Sequence, residues 1–303
     1  MSTGLIAHVL DQLELRGAGI VCLKDPGLNE NASWLVDASD GQRLVLRRYH
    51  DRATRVDLTY EHAVLRHLAA AGWVVPAPLS PLINVTGRWY CATQFVPGTA
   101  RRDETIPERF QRGGDLARLQ VDLRGLDANL GQRPCWRAQL TAVTVHTEID
   151  WDEDLELFAR THPLLASWAS EAALRTRKEL DALGAADLPV TIVHGDFAEW
   201  NVHYVGREFA GVVDFGLTHV DSRPYELAIA RAYRAPEVIA GYRAELAKQG
   251  WPLSDLEEAA IEPIHHAFRV DMVAWQLDRG RRAGEYDTAM IEHHLARTGC
   301  ATP

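Results

Sequence analysis

The sequence predicts an α+β fold with two lobes, a small antiparallel β-sheet lobe with one helix and a larger, mostly helical lobe. The first observation is that short apolar runs are joined by tight turns at Asp40-Gly41 and at Thr86-Gly87, which is typical of β-hairpins. The second is that apolar residues after position 98 recur mainly at helical spacing. We therefore expect a sheet lobe over residues 1–97 and a helical lobe over residues 98–303.

The sheet lobe is predicted to begin with an amphipathic helix. Apolar residues recur there at helical spacing: Leu5, Ile6, Val9, Leu10 and Leu13. A turn-rich segment, Cys22–Asn31, follows this helix. A longer helix is predicted over Val56–Ala71, where Gly72 ends it. The two hairpins pair Ala32–Val36 with Gln42–Tyr49, and Leu82–Val85 with Arg88–Phe95.

The helical lobe is predicted to contain two short strands among its helices. The strands are the apolar runs Val190–Val193 and Ala210–Val213. Ser222 and Pro224 predict a helix soon after the second strand, because serine caps helices and proline suits the first turn. The other predicted helices are Pro107–Gln120, Leu155–Arg160, Ser167–Leu183, Pro236–Gln249, Leu256–Arg279 and Tyr286–Ala296.

Both short strands end on polar residues suited to phosphoryl transfer. The first ends in His194-Gly195-Asp196, with Asn201 five positions after the aspartate, and the second ends in Asp214-Phe215-Gly216. Asp196 is expected to be the catalytic base, which aligns and deprotonates a hydroxyl, while Asn201 and Asp214 are expected to bind Mg²⁺. The alternative is that these residues only build turns and cap a helix. It does not explain why a second strand also ends in aspartate.

The string His-Gly-Asp-x-x-x-x-Asn, followed by Asp-Phe-Gly, resembles the aminoglycoside phosphotransferase family, which is similar to choline, homoserine and methylthioribose kinases. The resemblance implies a protein-kinase-like fold, ATP or GTP, Mg²⁺ and a small-molecule hydroxyl acceptor. It does not name the acceptor. The helix predicted at Ser222–Pro224 leaves no room for the activation segment of protein kinases. The tripeptide Ala235-Pro236-Glu237, which closes such segments, is therefore interpreted as coincidence.

The nucleotide site is expected to involve Arg47, which stands where kinases carry a lysine in Val-Ala-Ile-Lys. Strand alternation puts Val45 and Arg47 on one face, so an apolar adenine contact and a phosphate-binding cation point the same way. Arg48, on the other face, is expected to be solvent-exposed. The resemblance implies that Glu61, on the following helix, pairs with Arg47, although it is also compatible with a solvated helix charge.

Two further segments are candidates for nucleotide contacts. The loop Gly27–Ser33 has a single glycine, and its Asn31 and Ser33 either contact phosphate or stabilise the turn. Backbone groups of Gln94 to Val96, a stretch that resembles the family's hinge, are expected to hydrogen-bond the adenine edge. Phe95 and Val96 are equally compatible with plain strand core.

Candidate acceptor contacts are less specific. The segment Thr147–Glu156 is strongly acidic and is either a solvated helix start or a wall of the acceptor pocket. Asp271 and Trp275, with Asp278, lie on one face of a predicted helix, which either lines the acceptor site or packs on the first lobe. The candidate acceptor residues are Glu148, Asp150, Trp151, Asp152, Glu199, Trp200, Asp271 and Trp275.

Composition excludes several other classes of function. The net charge of −10 over 303 residues argues against nucleic-acid binding and is compatible with a cationic acceptor. No stretch approaches the length needed to span a bilayer, and the N-terminus lacks the features of a signal peptide. The four scattered cysteines indicate a reducing compartment and no zinc site. We expect a cytoplasmic monomer or homodimer.

The sequence therefore predicts a small-molecule kinase. The first expectation for its acceptor is an aminoglycoside-like or other amino-bearing natural product. The alternative is a metabolic amino alcohol or sugar of the homoserine, choline or methylthioribose type. A different class of function, a nucleotide-binding module without turnover, is favoured only by the arginine at position 47.

Overall fold

The computed structural model describes residues 3–15, 19–24, 31–39, 41–233 and 235–300. The chain divides into two compact units, each built from two segments. One combines Met1–Arg102 with Trp200–Gly216, and the other combines Asp103–Glu199 with Leu217–Pro303. The functional division after residue 97 stays a prediction. The packing units add a later segment, 200–216, to the sheet-bearing part.

The first unit is built on an antiparallel sheet with the strand order β1-β2-β3-β5-β4. Its strands are β1 Gly19–Lys24, β2 Ala32–Asp37, β3 Arg43–Arg48, β4 Ile83–Val85 and β5 Arg88–Gln94, and its helices are α1 Thr3–Gln12 and α2 Arg55–Ala70. Both predicted hairpins and both predicted helices are confirmed. β1 was not predicted, because all six of its side chains are exposed at the edge of the sheet and show no apolar alternation.

Helix α1 packs on one face of this sheet. Ile6, Val9 and Leu10 of α1 share a buried cluster with Leu44 and Leu46 of β3. Arg48 has the same strand parity and lies on the same face, where it is 1% exposed and its guanidinium lies 5.9 Å from the Trp34 ring centroid. The expectation that Arg48 is solvent-exposed is therefore wrong, because the N-terminal helix covers this face.

The returning segment adds a second small sheet to the first unit. Its strands, in the order β6-β8-β9, are β6 Thr99–Ala100, β8 Val202–Val205 and β9 Glu208–Val212. Gly98 has a φ of 82°, and a Cβ there would overlap the carbonyl group of Tyr204. The Val212 N–H donates to the Val74 carbonyl at 3.1 Å. These contacts hold the hairpin that carries Asn201 and Asp214 against the first unit's own chain.

The second unit is mainly helical. Its helices are α3 Ile106–Leu123, α4 Asp127–Leu130, α5 Trp151–Ala159, α6 Pro163–Leu183, α7 Arg223–Ala232, α8 Pro236–Lys248, α9 Asp255–Ala283 and α10 Thr288–Leu295. Strand β7, Val190–Val193, pairs antiparallel with β10, His219–Ser222. The predicted helices are confirmed, including the one that begins directly after Ser222. Helix α5 begins at Trp151, earlier than expected, because the Asp150 carboxylate accepts the Glu153 N–H at 3.1 Å and caps it.

The core of this unit lies between β7, α7 and α9. Val193 of β7, Tyr225 and Ala228 of α7, and Ile264 and Phe268 of α9 are all buried in one cluster. This packing fixes α7 beneath the end of β7, which is followed by the candidate catalytic residue Asp196. In the described residues, the helices are too short or too polar to cross a membrane.

Candidate active site

Arg47 joins two carboxylates in the first unit. It lies on β3 and is 8% exposed. Its Nη1 lies 3.4 Å from Oε1 of Glu61 on α2, and its Nη2 donates to Oδ1 of Asp214 at 3.3 Å. Burial lowers the pKa of Arg47, but the charges of Glu61 and Asp214 more than offset this and raise it above its ordinary value. The guanidinium therefore stays charged and links the sheet, the helix and the Asp-Phe-Gly segment.

Glu61 and His62 are the neighbours of Arg47 on α2. The side chain of Glu61 is only 2% exposed, and Arg47 contributes to the compensation of its buried charge. Next to it, the Tyr49 hydroxyl and His62 Nε2 are 2.7 Å apart. Burial, together with the charges of Arg66 and Arg47, lowers the pKa of His62 to about 4, so this imidazole is neutral at physiological pH.

The backbone of Asp214 adopts a conformation that few side chains accept. Its φ is 62°, in the left-handed region, where aspartate is one of the better-tolerated residues. The Val213 N–H donates to the carbonyl of Asn201 at 2.9 Å and brings the two candidate metal ligands onto adjacent backbone. The Asp214 side chain is 52% exposed and open to a ligand. An amide oxygen and a half-exposed carboxylate fit Mg²⁺, which binds proteins through one or two carboxylates together with phosphates.

The candidate catalytic loop lies in the second unit at the end of β7. Gly195 has a φ of 85°, and a Cβ there would overlap the carbonyl group of Leu217. A larger residue at this position would therefore displace the loop, which explains the glycine between histidine and aspartate. The Asp196 N–H donates to Nδ1 of the buried His194 at 3.2 Å. The close packing of Gly195 and the hydrogen bond of the Asp196 N–H therefore fix the backbone that carries the Asp196 carboxylate.

Glu226, near the start of α7, holds the same loop from below. Its Oε1 accepts the N–H groups of His194 and Gly195, the latter at 3.1 Å. Burial raises the pKa of Glu226 to about 7; the two backbone donors lower it, and the negative charges of Asp196 and Asp221 raise it further. Our reading of the sequence missed Glu226. The signal in the sequence was that Glu226 is a single acidic residue among the apolar residues of a helix, and that this helix follows the two strands that carry the candidate catalytic residues.

Arg112 is a second residue that the sequence did not reveal. It lies on α3, is 2% exposed and donates through Nε to Glu104 at 3.0 Å. Its Nη1 donates to the carbonyl of Phe197 at 3.0 Å, and its Nη2 lies 3.6 Å from Glu199. Arg112 therefore ties down the residue after Asp196 and orients Glu199. The neighbouring Trp200 is 41% exposed.

The proposed hinge and loop residues are only partly available to a nucleotide. The Gln94 N–H already donates to the Ala77 carbonyl at 2.8 Å. The Phe95 ring faces the guanidinium of Arg43 at 5.6 Å, and Val96 is buried. Backbone polar groups at positions 95 and 96 therefore remain the candidates for adenine.

The loop that precedes β2 is described only at its end. Residues 27–30 of the Gly27–Ser33 loop lie outside the described residues. Oδ1 of Asn31 accepts the His50 N–H at 2.9 Å, which supports a turn-stabilising role. Ser33 lies on β2 directly opposite Arg47, and the carbonyl of Val45 accepts the Thr93 hydroxyl at 3.2 Å.

The acidic segment before and within α5 has local partners. Asp150 caps α5, and Glu148 lies 3.8 Å from Nδ1 of His146. Trp151 packs on the apolar cluster between α5, α6 and α9, and Asp152 is exposed. Asp154 is fully buried against Arg281. The charge run is thus largely accounted for by helix capping and ion pairs.

The three residues on α9 do not form one surface. Asp271 is 1% exposed and accepts the Val145 N–H at 3.1 Å, and burial raises its pKa. Asp278 is buried between Arg281 and Arg282, at 3.1 and 2.8 Å. Trp275 is 38% exposed, beside Arg279. The sequence placed them on one helical face, but the two carboxylates serve internal contacts.

The chain is similar to a known protein family and to several characterised proteins. The model of the phosphotransferase enzyme family, APH, matches residues 22–260. A homoserine kinase of Methylocella silvestris is 28% identical over 208 residues, which are 66% of this chain and 60% of that protein. A homoserine kinase of Phenylobacterium zucineum is 26% identical over 258 residues, 78% of this chain and 73% of that protein. The chain thus spans about 60% of the length of the first of these relatives.

Solved structures show the same fold. An amicoumacin kinase in complex with AMP-PNP and Ca²⁺ has a TM-score of 0.69 at 15% identity, covering 96% of this chain and 92% of that one. A microcompartment-associated aminopropanol kinase has a TM-score of 0.61 at 17% identity, covering 98% and 94%. An aminoglycoside phosphotransferase with ADP and hygromycin B has a TM-score of 0.66 at 16% identity, covering 99% and 100%. The expected protein-kinase-like fold is confirmed.

Proposed function

Because the chain belongs to the phosphotransferase enzyme family, whose members use ATP to phosphorylate hydroxyl groups, we propose that its acceptor is a small amino alcohol of the homoserine type. Relatives at 26–28% identity carry the name homoserine kinase, whereas the amicoumacin, aminopropanol and aminoglycoside enzymes are only 15–17% identical. The acidic segment, the main sequence argument for a polycation, is engaged in local contacts. This reverses the order of acceptors expected from sequence.

The ion network of Arg47 is the observation that carries the proposed chemistry. A cation held at 3.4 Å from Glu61 and 3.3 Å from Asp214 is positioned to bind the α- and β-phosphates beside the metal ligands. Asn201 and Asp214 are the residues proposed to hold Mg²⁺, which supplies charge neutralisation of the phosphates when bound. Arginine in place of lysine offers two donors in a plane, so the phosphate contact is proposed to be bidentate.

Asp196 is proposed to act on the acceptor. Its carboxylate accepts the hydroxyl proton while the hydroxyl oxygen attacks the γ-phosphorus, and the bond to the bridging β,γ-oxygen breaks to release ADP. Glu226 and Arg112 act through the backbone on either side of Asp196 and are positioning residues. Backbone groups of Phe95 and Val96, together with Val45, are proposed to bind the adenine, with Asn31 and Ser33 nearer the phosphates.

A second candidate acceptor is an amino-bearing antibiotic. The observation in its favour is the fit to the amicoumacin kinase, which covers 96% of the chain with a TM-score of 0.69. By contrast, the match to the first homoserine kinase covers 66% of the chain. Glu199 and Trp200, which follow Asp196 in the chain, are the proposed contacts for such a ligand.

An acceptor screen tests the proposal. The enzyme is incubated with Mg²⁺ and either ATP or GTP, with homoserine, choline, aminopropanol, methylthioribose and aminoglycosides, and each product mass is measured. We expect homoserine to gain one phosphoryl group. If ATP binds but no compound is phosphorylated, the chain is a nucleotide-binding module. If only an aminoglycoside reacts, the second candidate replaces the first.

A further inference from the structure

The segment between α4 and α5 covers one edge of β10. Strands β7 and β10 form a two-stranded sheet, so the other edge of β10 has no strand beside it in the part of the chain that the structure describes. The side chain of Gln132 takes the place of such a strand. Its Nε2 donates to the carbonyl of Val220 at 3.1 Å, and its Oε1 accepts the Val220 N–H at 2.9 Å. One side-chain amide therefore satisfies both backbone groups of Val220.

Arg133 and Trp136 extend this contact along the same strand. Arg133 is 2% exposed, and its Nη1 donates to the carbonyl of Thr218, the residue directly before β10, at 2.8 Å. The indole of Trp136 stacks on the ring of His219, the first residue of β10, with the ring centroids 5.0 Å apart. Three side chains from one short stretch therefore hold β10 and the residue that precedes it.

The backbone that these side chains hold is in contact with the candidate catalytic loop. The hydroxyl of Thr218 donates to the carbonyl of Val193, the last residue of β7, at 2.6 Å. One residue earlier, the carbonyl group of Leu217 lies so close to Gly195 that a Cβ there would overlap it. The position of Leu217 therefore limits the space of the residue before Asp196, and a shift of one backbone displaces the other.

We propose that Gln132 and Arg133 are positioning residues for Asp196, acting through β10 and the residues directly before it. The inference rests on the proposed role of Asp196 as the base, and it identifies a further part of the chain that sets the orientation of this carboxylate. In a purely structural role, the two side chains stabilise the edge of the sheet without affecting the loop. Positioning is favoured because the backbone that they hold packs against Gly195, which leaves no room even for a Cβ.

The variant Gln132→Met tests the proposal. It removes both hydrogen bonds to Val220 and keeps the length of the side chain, and because Gln132 is exposed the protein is expected to fold. Arg133 is buried and its removal is expected to disturb folding, so Gln132 is substituted alone. With Mg²⁺, ATP and homoserine, we expect kcat to fall about 10- to 100-fold, because a small misplacement of a reacting group costs up to about 100-fold. KM for ATP is expected to stay within about twofold, because the substitution leaves ground-state binding of the nucleotide unchanged.

Arg137→Gln is the matched control. Arg137 lies in the same segment, is exposed and donates to the carbonyl of Thr147 at 3.2 Å, so its substitution removes a comparable bond to a backbone carbonyl outside β10. We expect this variant to keep kcat within about twofold, as is usual for a surface substitution. A normal kcat in Gln132→Met overturns the inference, even if the thermal unfolding midpoint falls. An equal loss of kcat in both variants also overturns it, because it indicates a general disturbance of the segment.

Amide hydrogen exchange separates failure of the inference from failure of the proposed function, because it requires no turnover. The N–H groups of residues 194–196 all donate hydrogen bonds, so their exchange reports on the loop. We expect Gln132→Met to speed their exchange by about fivefold or more and Arg137→Gln to leave it unchanged. Faster exchange at 194–196 supports positioning even if homoserine is not phosphorylated, in which case only the proposed function fails. Faster exchange confined to residues 218–222 overturns the inference even if homoserine is phosphorylated.

Discussion

The proposed nucleotide side and the proposed acceptor side of this protein differ in how directly the sequence reveals them. Glu61 and Asp214, which are expected to act together with Arg47, each lie within 3.4 Å of its guanidinium, although Asp214 is 167 positions from Arg47 in the chain. On the acceptor side, Asp150 caps a helix and Asp271 is buried against a backbone amide. Phosphoryl transfer requires particular residue types at the ends of strands, so its site leaves a recognisable spacing in the sequence. An acceptor can be recognised by any suitably placed groups, so its site leaves no such spacing.

The largest expected effect concerns Asp196, the residue proposed to act on the acceptor hydroxyl. Asp196→Ala is expected to lower kcat about 10²- to 10⁴-fold, because it removes the group that orients and deprotonates the hydroxyl. Steady-state kinetics measure the loss. ATP affinity and the thermal unfolding midpoint are expected to change little, since Asp196 is only half-buried. Normal turnover in this variant would show that another group is the base.

Loss of Arg47 is expected to destabilise the protein more than loss of a surface ion pair would. Arg47→Met removes a cation that lies 3.4 Å from the buried Glu61 carboxylate and is expected to lower the free energy of unfolding by about 3–5 kcal/mol. The double variant Arg47→Met with Glu61→Met is expected to recover most of this. Urea unfolding measures both. A double variant as unstable as the single one would mean that Glu61 is compensated by other groups.

The sequence predicted the parts of the molecule that repeat a local pattern. Both hairpins, the helix Arg55–Ala70 and the helix start at Ser222 follow from apolar spacing, turn residues and caps. Strand β1 was not predicted, because its exposed side chains show no alternation of apolar and polar residues. The buried contacts of Arg48, Arg112 and Glu226 were not predicted for a different reason. A sequence shows that a residue is charged, but which neighbours bury it is decided by segments far away in the chain, such as α1 for Arg48.

Glu226 is expected to make the stability of the protein depend on pH. Its pKa is raised to about 7 from an ordinary value of 4.5, so the folded protein binds this proton more tightly than the unfolded chain does. Its contribution to stability is complete below about pH 4.5 and is lost as the pH rises through about 7, a change of roughly 3 kcal/mol at most. Relative to Glu226→Gln, the unmodified protein is therefore expected to lose stability between about pH 5 and pH 8.

Urea midpoints of both proteins across this pH range provide the measurement. Glutamine keeps the side-chain oxygen that accepts the loop amides, so kcat at pH 6 is expected to stay within a few fold. As the pH falls and Glu226 becomes protonated, the difference between the two urea midpoints is expected to narrow. A constant difference would show that Glu226 does not titrate in this range.

The smallest expected effect tests whether the acidic segment belongs to the acceptor side at all. Asp150 caps α5 through the Glu153 N–H at 3.1 Å, so Asp150→Ala is expected to lower the free energy of unfolding by about 1 kcal/mol. Replacement of Glu148, Asp150 and Asp152 together by Gln, Asn and Asn, which retain side-chain oxygens, is expected to leave KM unchanged for homoserine and for cationic acceptors. A selective rise in KM for a cationic acceptor would instead return this segment to the acceptor pocket.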